Sequence, residues 1–259
     1  KARPATATVV VLQGWGTRVR TADYLLHLGA TLADEGCRVI YPDLRGHGDS
    51  TGAFVTSGFR EVEDLSALLD DFDGRGLLHG PVGVIGHSYG GGIAIQFAAH
   101  EPRVERVLAL SPLADIRPAM LPGIRMFLKS MRPVQWTLYL QWLINQNAID
   151  KAQRLMGERT GADLAVHNAL AQIERVDVPV LILQGDDDPA TPLAGAQKLR
   201  DANPERVELV VYPGAGHTSY LRDDFAEIEP RLRDWAAQLI GPNAPQTADG
   251  EPDPIPHRP

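Results

Sequence analysis

Cysteine is nearly absent from this chain. Cys37 stands alone, which excludes an intrachain disulfide and any metal site built on cysteine ligands. Positive charge is scarce as well: 25 Lys and Arg face 33 Asp and Glu, the net charge is −8, and no dense basic run occurs. Phosphate binding needs clustered positive charge, so this balance argues against a nucleic-acid partner. No stretch has the uncharged apolar length of a membrane span. The opening residues KARPATAT lead straight into an apolar run without a signal-peptide pattern. A chain that starts at Lys1 reads as a processed or trimmed form. The expectation is a soluble protein, with the cytoplasm favoured and export left open by whatever precedes Lys1. What is present is ordinary globular composition, 44% hydrophobic and 22% charged over 259 residues, enough for one sizeable core.

Short apolar runs alternate with helical patterns along the chain. Expected strands are Val9–Leu12, CRVIY ending near Tyr41, PVGVIG, RVLALS, PVLILQG and VELVVYPG. Between and after them fall LLHLGATLADEG with Gly36 as its C-cap, residues 59–72, GGIAIQFAAHEP stopped by Pro102, PLAGAQKLRDA, and IEPRLRDWAAQLIG. This alternation predicts an α/β fold with a mostly parallel sheet buried on both faces by helices. In such sheets chemistry collects in the loops just past the carboxyl ends of the strands.

Residues from about 116 to 174 break the alternation. MLPGIRMFLKSMRP, VQWTLYLQWLINQNAIDKAQRLMG and GADLAVHNALAQI are helical in pattern, and Met126, Phe127, Met131, Trp136, Tyr139 and Trp142 make the segment apolar. It reads either as extra core helices or as a helical cap over a site at the sheet edge. The cap is preferred because the segment follows the carboxyl end of the fourth strand. From Gly241 the chain is Pro-rich and polar, GPNAPQTADGEPDPIPHRP, with the composition of a disordered tail in which His257 is a bystander. The expected organisation is one domain over residues 1–240, with the cap inserted, and a tail over 241–259.

The chemistry centres on VIGHSYGGG. Gly86-His87-Ser88-Tyr89-Gly90 fits G-x-S-x-G between an apolar strand and a glycine-rich helix start. Such a turn exposes a serine on strained backbone, and glycines two positions away leave room for it. A serine hydroxyl needs a base, and the base needs a carboxylate to orient it. His217, in YPGAGHTSY after the sixth strand, can reach the carboxyl edge and suits the chain order. His47, after the second strand, is a weaker alternative, and His87 beside the serine projects differently. The carboxylate belongs between Ser88 and His217, where LQGDDDPATP offers Asp186, Asp187 and Asp188. Two of these read as a polar turn and one as the orienter. Acyl transfer also needs two donors aimed at the oxyanion. The Tyr89 N–H is one, and the Trp15 N–H in QGWGT is the other. The plainer reading of QGWGT is a glycine turn with a buried Trp.

The motifs LQGWG, DLRGHGDSTG, GHSYGG, GDDDPATP and GAGH, in this order over residues 8–240, resemble the α/β-hydrolase family. The resemblance implies Ser88 as nucleophile and His217 as base. The family's G-x-x-D-x-x-x-P pattern falls on Gly185, Asp188 and Pro192 and selects Asp188 as the acid, with Asp115 in SPLADI as the alternative after the preceding strand. It places the oxyanion donors on Trp15 and Tyr89. Two departures stand out. Gln13-Gly14 occupies the place of the family's His-Gly, which puts the support of that loop in question. The family sheet also commonly begins with two strands upstream, so the chain reads as a minimal or trimmed member. Asp43, His47 and Asp49 mimic a metal cluster, but the family reading is a hydrogen-bonded loop, and no metal or cofactor is expected. The implied activity is cleavage of small or medium carboxylic esters through an acyl-enzyme. A serine peptidase, a thioesterase and a non-catalytic binding protein on the same fold are the rival readings.

Overall fold

The computed structural model describes residues 5–16, 22–52, 54–121, 124 and 144–241. In chain order these form β1 (Ala7–Leu12), α1 (Asp23–Asp34), β2 (Cys37–Ile40), α2 (Phe59–Gly74), β3 (Val82–His87), α3 (Tyr89–Ala98) and β4 (Val104–Leu110). After these come α4 (Gln146–Thr160), α5 (Ala169–Gln172), a 3-10 turn (Ile173–Arg175), β5 (Val180–Gly185), α6 (Leu193–Ala202), β6 (Val207–Tyr212), α7 (Ser219–Arg222) and α8 (Phe225–Ile240). The strands make one six-stranded sheet in the order β2-β1-β3-β4-β5-β6, with every adjacent pair parallel.

Every residue of β1 and of β3 is buried, as a parallel sheet covered on both faces requires. Successive side chains of a strand point to opposite faces, and the core divides accordingly. Val10, Leu12 and Val84 pack with Leu65, Leu69, Ile93, Phe97 and Leu199 from α2, α3 and α6. Val9, Val11, Ile85 and Leu108 pack with Leu25, Leu28 and Leu32 from α1 and Leu232, Trp235 and Leu239 from α8. Gly83 in the middle of β3 makes room for that second layer: a Cβ there would stand 2.5 Å from the Trp235 ring.

The element boundaries differ from the expected ones in instructive ways. Gly36 lies one residue beyond the Glu35 cap of α1, at φ 88°, the left-handed position that follows many helices. Helix α3 begins at Tyr89, immediately after Ser88, and ends at Ala98, four residues short of Pro102. The proline therefore does not stop it. Helix α8 starts at Phe225 and carries Pro230 inside it. In the 116–174 segment no strand occurs among the described residues. The helical run expected over 134–157 is interrupted where Asn145 turns extended and its side chain accepts the Ala148 N–H at the start of α4. Of GADLAVHNALAQI only Ala169–Gln172 is α-helical, capped by the Asn168 side chain. Met126 to Trp142, the apolar part of the expected cap, and all but Gly241 of the expected tail over 241–259 lie outside the described residues.

Candidate active site

Ser88 links β3 to α3 with φ 55° and ψ −114°, a conformation that costs a non-glycine residue strain energy and persists only when its surroundings impose it. The surroundings are visible. The Ser88 N–H donates to Leu110 O (2.8 Å), and the Ser88 carbonyl accepts from Gly92 N (3.1 Å) and Leu113 N (2.9 Å). The flanking glycines are needed for contact: a Cβ on Gly86 would overlap the Gly90 carbonyl, and one on Gly90 would stand 2.5 Å from the carbonyls of Leu12 and Gln13. Strand end, helix start and the loop after β1 thus meet backbone to backbone.

The Asp188 carboxylate, just past β5, is buried and crowded with donors. Oδ1 accepts from Ala190 N (2.8 Å) and Thr191 N (2.9 Å), and Oδ2 accepts from Thr191 Oγ1 (2.7 Å), Gln184 Nε2 (3.2 Å) and His217 Nδ1 (2.7 Å). Burial by itself would raise this carboxyl, but the hydrogen bond and charge of His217, with the Thr191 donors, outweigh it and hold it at about 2. An ionised Asp188 only accepts, so the uncharged form of the His217 ring that acts as base carries its proton on Nδ1 and keeps the Nε2 lone pair.

The other candidates sort themselves by their partners. Asp186 accepts from Gly214 N (2.6 Å), and the Asp187 N–H donates to Ala215 O (3.0 Å); both fasten the loop after β5 to the loop that carries His217. Asp115, the alternative acid, is held in an ion pair with Arg117 Nη2 at 2.6 Å. His47 donates from Nδ1 to Arg45 O (3.0 Å) and stacks on Tyr89. Asp43 accepts from Asp49 N (3.0 Å) and organises its own loop. His87 is buried behind the turn, its ring centroid 4.9 Å from that of His217. Its Nε2 donates to the His217 carbonyl at 3.4 Å, and its Nδ1 accepts from the Tyr24 hydroxyl at 2.9 Å. Burial first, and the nearby His217 second, push His87 down to about 3, so this ring is neutral.

The loop after β1 lies against the turn. A Cβ on Gly14 would be 3.1 Å from His87 Nδ1 and 3.4 Å from Ser88 Cβ. Trp15 is 54% exposed, so the buried-Trp reading of this loop fails; its ring meets Tyr89 edge-on at 5.6 Å. Gln13, where the family has His, is fully buried. With the amide oriented so that its nitrogen faces Pro42 O and its oxygen faces Leu44 N, the assignment that satisfies both groups, each contact is 3.1 Å and ties the loop to the one after β2. Residues at the ends of β1, β3, β5 and β6 therefore share one sheet edge. Thr191, Gln184, Tyr24 and Glu61, described below, were not foreseen. Thr191 lay within GDDDPATP, whereas Glu61 follows a glycine cap, Gly58, and so lacks the Ser or Thr that would flag a capping box.

Fold and site geometry define an α/β-hydrolase. The family model described as serine aminopeptidase S33 matches residues 3–223, and the chain belongs to that family. It is 28% identical over 217 residues to a monoacylglycerol lipase of Mycolicibacterium smegmatis, covering 74% of this chain and 75% of the relative. To a pimeloyl-[acyl-carrier protein] methyl ester esterase of Neisseria meningitidis it is 26% identical over 275 residues, 96% of this chain and 82% of the relative. An esterase structure from Pyrococcus furiosus superposes with a TM-score of 0.73 at 22% identity, covering 92% of this chain and 84% of that one. No helix among the described residues is long and apolar enough to cross a membrane.

Proposed function

We propose that this chain is a serine hydrolase that cleaves carboxylic esters through an acyl-enzyme. The observation that carries the reading is the 2.7 Å His217–Asp188 pair, at the same sheet edge as a serine held at positive φ after β3. His217 Nε2 takes the Ser88 proton as Oγ attacks the ester carbonyl carbon. The carbonyl oxygen takes the electron pair and is stabilised by the N–H groups of Trp15 and Tyr89. Collapse of this intermediate expels the alcohol, which takes the proton from His217. Water then repeats the cycle and releases the acid. Asp188 holds the His217 tautomer throughout. No metal or cofactor enters any step.

The ester reading is supported by the relatives above, which are named as a monoacylglycerol lipase and a pimeloyl-[acyl-carrier protein] methyl ester esterase. The segment between β4 and β5 acts in this proposal as the cap that limits the acyl group to small or medium size. The test is turnover of p-nitrophenyl esters from acetate to palmitate by wild type and Ser88→Ala, with fluorophosphonate labelling of Ser88. Full turnover by Ser88→Ala would sink the mechanism. The serine aminopeptidase description of the matching family favours a second reading, amide cleavage. Turnover of an aminoacyl anilide faster than of any ester would establish it.

A further inference from the structure

Glu61 is a carboxylate with no exposed surface. A buried charge persists only when its lone pairs are taken up, and here four donors do so. Oε1 accepts from Thr56 N (2.6 Å) and the Tyr89 hydroxyl (2.9 Å), and Oε2 accepts from Thr56 Oγ1 (2.5 Å) and Gly58 N (2.9 Å). Three of these fix Glu61 at the first turn of α2. The fourth reaches across to the residue that opens α3. Burial, followed by the charge of Glu61 and its hydrogen bond, pushes the Tyr89 hydroxyl well above the ordinary tyrosine range, so it remains a donor. The same Tyr89 ring is met edge-on by Trp15 at 5.6 Å and stacked by His47 at 5.8 Å.

We propose that Glu61 is a positioning residue for the oxyanion hole. Through the Tyr89 hydroxyl it fixes the residue whose backbone N–H is one donor and whose ring carries Trp15, the source of the other. This role rests on the serine-hydrolase reading above. An oxyanion hole works because its donors stand in place before charge develops, and small displacements are expensive. The chemistry requires a carboxylate. A glutamine would turn an NH2 group toward at least one of four groups that themselves donate.

The test compares wild type, Glu61→Gln, Tyr89→Phe and the double variant on a p-nitrophenyl ester, with Ser88→Ala as reference. Two inhibitors of one size are added. A trifluoromethyl ketone bonds to Ser88 Oγ, its carbonyl oxygen becoming the oxyanion while His217 takes the proton. The corresponding carbinol binds without reacting. Glu61→Gln is expected to lower kcat about 10- to 100-fold with KM within about twofold. Ketone affinity should fall by the same factor, and carbinol affinity should hold. Tyr89→Phe keeps the ring contacts and the other three Glu61 donors; it should show the same pattern, with the double variant no worse than the weaker single. Circular dichroism establishes that each variant folds; if Glu61→Gln does not, Tyr89→Phe decides. Folded variants with wild-type kcat, or equal losses toward ketone and carbinol, would overturn the role. A wild-type chain with no Ser88-dependent turnover would sink the hydrolase reading and this role with it. Normal wild-type turnover beside indifferent variants sinks the role alone.

Discussion

Asp188 and His87 are both buried next to His217, yet acid acts on them in different windows. Asp188 is held at about 2 against about 4 in an unfolded chain. Its contribution to stability is therefore complete above roughly pH 4 and lost as pH falls toward 2. His87 is held at about 3 against about 6.5 unfolded. Between these values the unfolded chain binds a proton that the folded one refuses, so stability falls as pH drops from about 6.5 to about 3. Denaturation midpoints followed from pH 8 to pH 2 should show both windows. His87→Gln should flatten the upper one and Asp188→Asn the lower. In catalysis Asp188→Asn should lower kcat by about 10³- to 10⁴-fold with little change in KM, because the amide favours the tautomer with the proton on Nε2. An unchanged kcat would remove Asp188 from the mechanism. At this scale Ser88 and His217 were legible because motif and chain order single them out. Choosing Asp188 from three adjacent aspartates required the family pattern, and Glu61 was invisible because its partner, Tyr89, lies 28 residues away.

Among the elements, the junction of β3 and α3 has the least tolerance. A Cβ on Gly86 would run into the Gly90 carbonyl, and backbone against backbone cannot relax as a long side chain can. Gly86→Ala should destabilise by about 2–4 kcal/mol, a fall of roughly 5–15 °C in Tm. Gly74, the last residue of α2, has nothing within 4 Å of a built Cβ and no positive φ. Gly74→Ala should be neutral or stabilise by about 0.5 kcal/mol. Equal melting temperatures for the two variants would contradict the packing account of the elbow. The same contrast explains what could be read from sequence. All six strands were visible as short apolar-rich runs, unbroken where both faces are covered, as in β1, and broken by a charged residue where the strand is partly exposed, as in β6. Helix ends were less so. Pro102 is where a helix could not continue, but α3 had already ended at Ala98. The helical pattern IEPRLRDWAAQLIG starts at Ile228, whereas α8 begins at Phe225 and carries Pro230 inside it.

At the scale of the whole molecule, a parallel sheet needs a crossover after every strand, and each crossover returns the chain so that the next loop opens at the same edge. That is how Trp15, Ser88, Asp188 and His217, spread over some two hundred residues of sequence, come to one edge. The order of motifs revealed this convergence because topology alone produces it. The size of the substrate is another matter. Under the cap proposal it is set by the long connection from β4 to β5, whose helical pattern in sequence names no packing partner, and α4 begins only after Asn145. If this connection is a cap, it sets acyl length while the edge sets chemistry, and the two should separate by experiment. Wild-type turnover should be highest for short to medium p-nitrophenyl esters and fall about tenfold or more at palmitate, in the range that pocket fit controls. Replacing the β4–β5 connection with that of another family member should move the optimum while Ser88-dependent burst kinetics persist. A flat profile from acetate to palmitate, unmoved by the exchange, would mean that this connection packs as core and leaves the edge open.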